Sequence, residues 1–247
     1  MLEGRNFSYT RGGRSLFSTL SFCLREGEML AVKGANGSGK STFLRLVAGL
    51  ILPPPATLYW NDAALTSQSL SFYQQNLLYV GHKLCLHPEA LVKDQIRLWQ
   101  NLYGLSEKVI EDALAIWGVG VLKNKKISHL SQGQQKRLSL SRCSWLDRPL
   151  WILDEPQAGL DQTGKATLSH VLVHHRGRGG SVIIATHDPL PVKLKITQEE
   201  NPGLLRPVPR FRGDGLAMTE EERPCEGAQR PRQSRPSSFE YTAEIIL

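Results

Sequence analysis

The chain has 247 residues, 40% of them apolar, enough for one large domain with a buried core and too apolar for a globally disordered chain. No membrane-spanning helix is available: the densest apolar stretch, Leu46 to Leu52, is seven residues long and runs into Pro53-Pro54-Pro55, where about 20 are needed. The net charge of +7 points toward phosphates rather than nucleic acid, because its excess (21 basic against 14 acidic residues within 1–192) is scattered, Lys123, Lys125 and Lys126 apart, and is not interleaved with aromatics.

In chain order, β-like runs at Asn6 to Thr10 and Ser15 to Leu24 are broken by Gly12-Gly13. Met29 to Lys33 is a short apolar strand that enters Gly34. A helix is expected over Ser41 to Leu50, with Phe43, Leu44, Leu46, Val47 and Leu50 on its apolar side. Leu77 to Val80 is the next strand. Helical patterns then cover Leu91 to Leu102, Ser106 to Trp117 and Gln132 to Ser144. Buried-type strands at Leu150 to Leu153 and Val182 to Ala185 flank a helix at Gln162 to His174. Alternating strands and helices are the α/β signature. After about Lys195 the apolar period ends and six of the 14 prolines fall in residues 201–247, so 196–247 is expected to be a disordered tail, with Ile245-Ile246-Leu247 a frayed end or a docking motif.

Four cysteines at least 58 residues apart exclude a CxxC motif and indicate reduced thiols. A cleavable leader is not expected, because the first β-run starts near Leu2.

Two motifs carry the chemistry. Gly34-Ala-Asn-Gly37-Ser-Gly39-Lys40-Ser41 matches G-x-x-x-x-G-K-[ST] between a strand and a helix. Its glycines let backbone N–H groups curl round phosphates, and the helix presents its positive end. Gly34, Asn36, Gly37, Ser38, Gly39, Lys40, Ser41 and Thr42 are therefore expected to hold ATP, with Lys40 at the β- and γ-phosphates and the Ser41 hydroxyl on Mg²⁺. The strand Leu150 to Leu153 ends in Asp154, a carboxylate suited to Mg²⁺, and Glu155, which can polarise an attacking water.

A third motif, Leu130-Ser131-Gln132-Gly133-Gln134, opens a helix for which Ser131 is a good N-cap. Phosphate loop, LSxGQ and apolar-Asp-Glu strand, in that order, resemble the nucleotide-binding subunits of ABC transporters over about residues 1–190. The resemblance implies a P-loop NTPase fold: a RecA-like α/β core, an N-terminal antiparallel β lobe and a helical lobe at about 84–146, all within residues 1–195. It implies an ATPase that works with transmembrane permease subunits as a homodimer or with a paired nucleotide-binding subunit. It places Tyr9 on adenine, Ser131, Gly133 and Gln134 at a partner's nucleotide, Asp161 in the loop linking two sites, and His187 at the γ-phosphate.

Asn76 to His82, Leu150 to Pro156 and Thr186 to Leu190 are similar to the short ATP-binding subunit of cytochrome c maturation systems, the haem exporter ATPase type. That likeness implies a peripheral position on the nucleotide side of an inner membrane, the bacterial cytoplasmic or mitochondrial matrix face, touching membrane only through partners. One departure stands out. Lys83 occupies the position where the family places a Mg²⁺-ligating Gln, and an ammonium has no lone pair to offer a metal. Other ABC importer or exporter ATPases, a soluble iron–sulfur assembly ATPase and a non-catalytic module are the alternatives. The last is opposed by the joint presence of Lys40, Asp154, Glu155 and His187.

Overall fold

A computed structural model describes residues 1–186 and 243–246. Strands β1 (Leu2–Arg11) and β2 (Arg14–Leu24) form an antiparallel hairpin closed by Gly12 and Gly13, both at positive φ. After β3 (Met29–Lys33) and helix α1 (Lys40–Val47), β4 (Leu58–Trp60) returns to the free side of β1 and β5 (Ala63–Ala64) follows it. Phe17 and Phe22 are five residues apart on β2, so regular alternation would place them on opposite faces. The register shifts between Gly4 and Tyr9, with Thr19 at positive φ, bring Phe7, Phe17 and Phe22 all inward, where their rings lie 5.5 to 5.8 Å from Phe43 of α1 in edge contacts. Each such pair adds about 1 kcal/mol to the burial of the rings. This cluster fastens the antiparallel sheet to the helix that follows the phosphate loop.

Helix α2 (Leu70–Gln75) leads to β6 (Leu77–Val80), and helices α3 (Val92–Tyr103), α4 (Glu107–Ile116), α5 (Gln132–Leu140) and α6 (Arg142–Trp145) form a helical group before β7 (Leu150–Asp154). Helix α7 (Gln162–Gly177), β8 (Ser181–Ala185) and β9 (Ala243–Ile246) complete the described chain. The second sheet is parallel, in the order β6-β7-β8-β3-β9. Its middle strands are buried on both faces, which explains their unbroken apolar runs. Period-two alternation divides them: Leu30, Val32, Leu150 and Ile152 face the aromatic cluster and α1, while Met29, Ala31, Trp151 and Leu153 face α7 and the helical group.

The structure differs from the sequence expectations in four places. Helix α1 ends at Val47, so Leu50, expected on its apolar side, lies beyond the helix and is 55% exposed. The helix expected over Gln132 to Ser144 breaks at Ser141, where the buried Arg142 turns back and donates from Nε to the Ser139 carbonyl at 2.9 Å, taking a carbonyl at the helix end. Elements α2, β4 and β5 arise where no element was expected; β4 is only three residues long and acquires its form by pairing with β1. The expectation of a disordered tail and a frayed end also fails at Ala243–Ile246. These residues pair in parallel with β3, Leu30 to Ala243 through Lys33 to Ile246, and Ile245 is buried. A four-residue strand shows no period of its own, so only its distant partner reveals it. The rest of the expected tail, together with His187, lies outside the described residues.

Candidate functional site

The phosphate loop leaves the C-terminal end of β3, the edge where open α/β sheets bind ligands. Gly37 and Gly39 sit at φ of 81° and 108°, in a region that a side chain would strain, and there the loop turns its backbone inward. Gly39 caps α1 without any side-chain hydrogen bond, so the first N–H groups of the helix remain for an anion. Lys40 is buried, and its Nζ donates to the carbonyls of Gly34 and Ala35 at 2.9 and 3.0 Å. The ammonium is thus tethered across the mouth of its own loop. Ser41 is half-buried and Thr42 buried on the first turn, while Asn36 and Gly37 are exposed at the loop's tip. The Ser38 hydroxyl is buried without a hydrogen-bond partner.

Strand β7 delivers the carboxylates. Asp154 is 2% exposed and its Oδ2 has no hydrogen-bond partner among the described residues, although it closes a strand pair with Ala185 of β8. Glu155 follows at φ 46°, held there by its N–H donating to the Ala185 carbonyl at 3.0 Å. That kink costs on the order of 1 kcal/mol and turns Glu155 off the strand axis. A serine hydroxyl and a sealed carboxylate form an oxygen donor set that suits Mg²⁺, an ion that keeps most of its own waters. Ser41 and Asp154 are therefore the residues that can hold it, and the unpartnered Oδ2 is the structural observation in favour.

Helix α5 lies over the loop that follows Glu155. A Cβ on Gly133 would stand 2.9 Å from the Gly159 carbonyl, so only glycine permits this approach. Arg137 pairs with Asp161, whose carboxylate also accepts from the Gly164 N–H at 2.9 Å as the N-cap of α7. The Arg137 guanidinium and then that N–H hold the exposed Asp161 carboxyl below its ordinary range. Ser131 and Gln134 form a reciprocal capping box: Ser131 Oγ accepts from Gln134 N at 3.2 Å, and Gln134 Oε1 accepts from Ser131 N at 3.1 Å. The exposed Ser131 hydroxyl keeps its own proton for donation outward.

Tyr9 is half-buried, pairs with Phe17 across the hairpin and stacks on its ring at 6.3 Å. Phe17 in turn would lie 3.8 Å from a Cβ at Gly39, which sets Tyr9 one strand away from the phosphate loop. Lys83 is exposed on the loop after β6. Sequence reasoning missed Lys136. It is 6% exposed on α5, and burial lowers its pKa against the opposing pull of Asp154 and Glu155. A lysine in a polar helix reads as a solvated residue, so no local pattern signals it.

Residues 17–158 match the family model described as ABC transporter. The chain is an ABC transporter ATP-binding subunit. This subunit is 35% identical over 208 residues to ABC transporter I family member 1 of Arabidopsis thaliana, covering 84% of this chain and 87% of the relative. It is 37% identical over 196 residues to the cytochrome c biogenesis ATP-binding export protein CcmA of Rhodopseudomonas palustris, covering 78% and 95%. A solved structure of an ATP binding subunit of an ABC transporter superposes with a TM-score of 0.67 at 26% identity, covering 76% of this chain and 79% of that one. The ABC subunit binds ATP and is an ATPase, and ABC ATP-binding subunits work with permease partners. Among its described residues no helix is long and apolar enough to cross a membrane.

Proposed function

We propose that this subunit powers haem delivery during cytochrome c maturation, from the nucleotide side of an inner membrane and through permease subunits. The observation that carries the reading is likeness to cytochrome c biogenesis export proteins over nearly their whole length, 95% of the Rhodopseudomonas palustris relative. Residues 1–195 act as the ATP-binding domain, with 84–146 as its helical lobe.

Within the domain, Gly34 to Thr42 wrap the phosphates, Tyr9 faces adenine, and Lys40 leaves the Gly34 and Ala35 carbonyls for the β- and γ-phosphate oxygens. Ser41 and Asp154 hold Mg²⁺, which neutralises charge between those phosphates when bound. Glu155 takes the proton of the water that attacks the γ-phosphorus as the bond to ADP breaks, and His187 donates to the γ-phosphate oxygens. Ser131, Gly133 and Gln134 stand on the helical group, with the Ser131 hydroxyl turned outward, and they meet the nucleotide of a second subunit. Asp161, locked by Arg137, carries the state of one site to the other.

The reading is tested in cells that lack their own haem-export ATPase. This chain is expected to restore c-type cytochromes and to co-purify with membrane subunits. Co-purification and ATP turnover without restored cytochromes would leave the ATPase standing and remove haem delivery.

A further inference from the structure

The outer edge of β3 has a covalently attached occupant that the proposed function does not use. Strand β9 pairs with β3 over four residues, and the last pair, Lys33 with Ile246, stands one residue before Gly34. Ile245 is 4% exposed and joins the apolar cluster of Leu30 and Val32. On the other edge β8 pairs with the same strand, and the Thr186 N–H reaches the Val32 carbonyl at 3.3 Å. The phosphate loop is therefore sprung from a strand clamped on both sides. Its lysine is tied to that strand's end, because Lys40 Nζ donates to the carbonyl of Gly34.

We infer that the β3 edge is a strand-acceptor site filled by the chain's own C-terminal segment, Ala243–Ile246, and that nucleotide binding depends on this strand being seated. Three physical points carry it. A parallel strand at a sheet edge presents unpaired N–H and C=O groups, and an extended segment satisfies them by adding to the sheet. Ile245 covers apolar surface of β3 that would otherwise meet water, in a cluster where Leu30 and Val32 are fully buried. Lys33 and Gly34 are where the strand becomes the loop, so loosening that end spreads the carbonyls that hold Lys40 and the N–H groups that meet phosphate. The occupant is only four residues long, which makes it displaceable, while its attachment to the same chain keeps its local concentration high.

The test uses the full chain and reads the affinity for a fluorescent ATP analogue with Mg²⁺, which requires neither haem nor a membrane partner. Its failure is thus separable from failure of the haem reading. Ile245→Asp, which places a charge in the apolar cluster, is expected to weaken binding about tenfold or more, and Ile245→Val by no more than about twofold. Ile245→Ala, which the sheet should survive, is expected between them. A synthetic peptide of residues 238–247, added to the Ile245→Asp chain at about millimolar concentration, should recover most of the affinity, and the same peptide with Asp at its position 245 should not. Wild-type affinity in both Ile245→Asp and Ile245→Ala overturns the inference. So does an Ile245→Asp chain of native circular dichroism that the peptide leaves unchanged. A nucleotide-free dimer of the wild type that Ile245→Asp dissolves would show the strand coming from a second copy, and overturns the intramolecular assignment.

Discussion

The two ends of the parallel sheet are built in opposite ways from the same strands. At the C-terminal end, burial strands oxygen atoms: Ser38 Oγ and Asp154 Oδ2 have no partner among the described residues, and Lys40 leans on its own loop. At the N-terminal end, burial strands ring nitrogens instead. Trp151 and His175 stack at 3.6 Å with planes 5° apart, and Trp151 Nε1 and His175 Nε2 lack partners. They line a cavity of about 810 Å³ with Trp60, Trp145, His170 and Arg178, far from the phosphate loop along the sheet. A sealed carboxylate demands a cation, whereas a neutral ring nitrogen costs about 1–3 kcal/mol that ring burial can offset. One end is thus prepared for a charged ligand, and the other holds His175 and Cys143 neutral. Burial drives the His175 pKa down to about 4, with Ser181 and Asp147 opposing and Arg178 and His174 assisting, and it pushes the Cys143 thiol up to about 12.

The contrast can be broken first at the ligand end. Glu155→Gln is expected to lower ATP turnover by about a hundredfold or more while ATP affinity stays within about twofold, since the base is lost and the phosphate loop is untouched. Steady-state rates and nucleotide titrations read both, and a slow variant that also fails to bind ATP would move Glu155 from proton transfer to binding.

At the opposite end the largest effect belongs to Gly180. A Cβ there would lie 2.1 Å from His175 Cε1, and the ring cannot retreat because Trp151 stacks on it. Gly180→Ala should therefore cost about 2 kcal/mol in chemical unfolding, with ATP turnover per folded molecule unchanged.

His175 sharpens the same comparison through pH. Its folded pKa lies below the unfolded value of 6.5, so its contribution is present above pH 6.5 and is lost as pH falls toward about 4. Between pH 6.5 and 5, before most carboxylates titrate, about 2 kcal/mol of stability should disappear. In His175→Gln that slope flattens, which melting curves at several pH values would show.

The smallest effect is expected at Lys83, exposed beside the ligand end. If it approaches the phosphates when subunits close, Lys83→Gln should raise basal turnover several-fold, under about 1.4 kcal/mol of barrier, and Lys83→Ala should not. Equal rates for the two variants, both near wild type, would show that Lys83 only faces solvent.

What could be read in advance follows from how local the information is. Met29–Lys33 and Leu77–Val80 appear with the bounds expected, because both are written as short apolar runs, buried from Met29 to Val32 on β3 and at alternate residues on the edge strand β6. Gly34 to Ser41 and Asp154-Glu155 were legible because their chemistry depends on residues adjacent in the chain. The Ser141 break was not, since it follows from where one buried arginine finds a carbonyl. The sealing of Lys136 beside Asp154 and Glu155 was not either, since those groups lie far apart in sequence and meet only when α5 packs.

By itself the order of residues determined the α/β alternation, the phosphate loop and the two carboxylates, because periodicity and turn chemistry act over a few neighbouring positions. The tertiary structure alone decided that Ile245 pairs beside Val32, that Gly133 must lack a side chain to lie against Gly159, and that His175 is held neutral between Trp151 and Gly180. Each of these rests on groups more than 20 residues apart or on a single missing Cβ. Their energies come from desolvation and close contact, which no local pattern encodes.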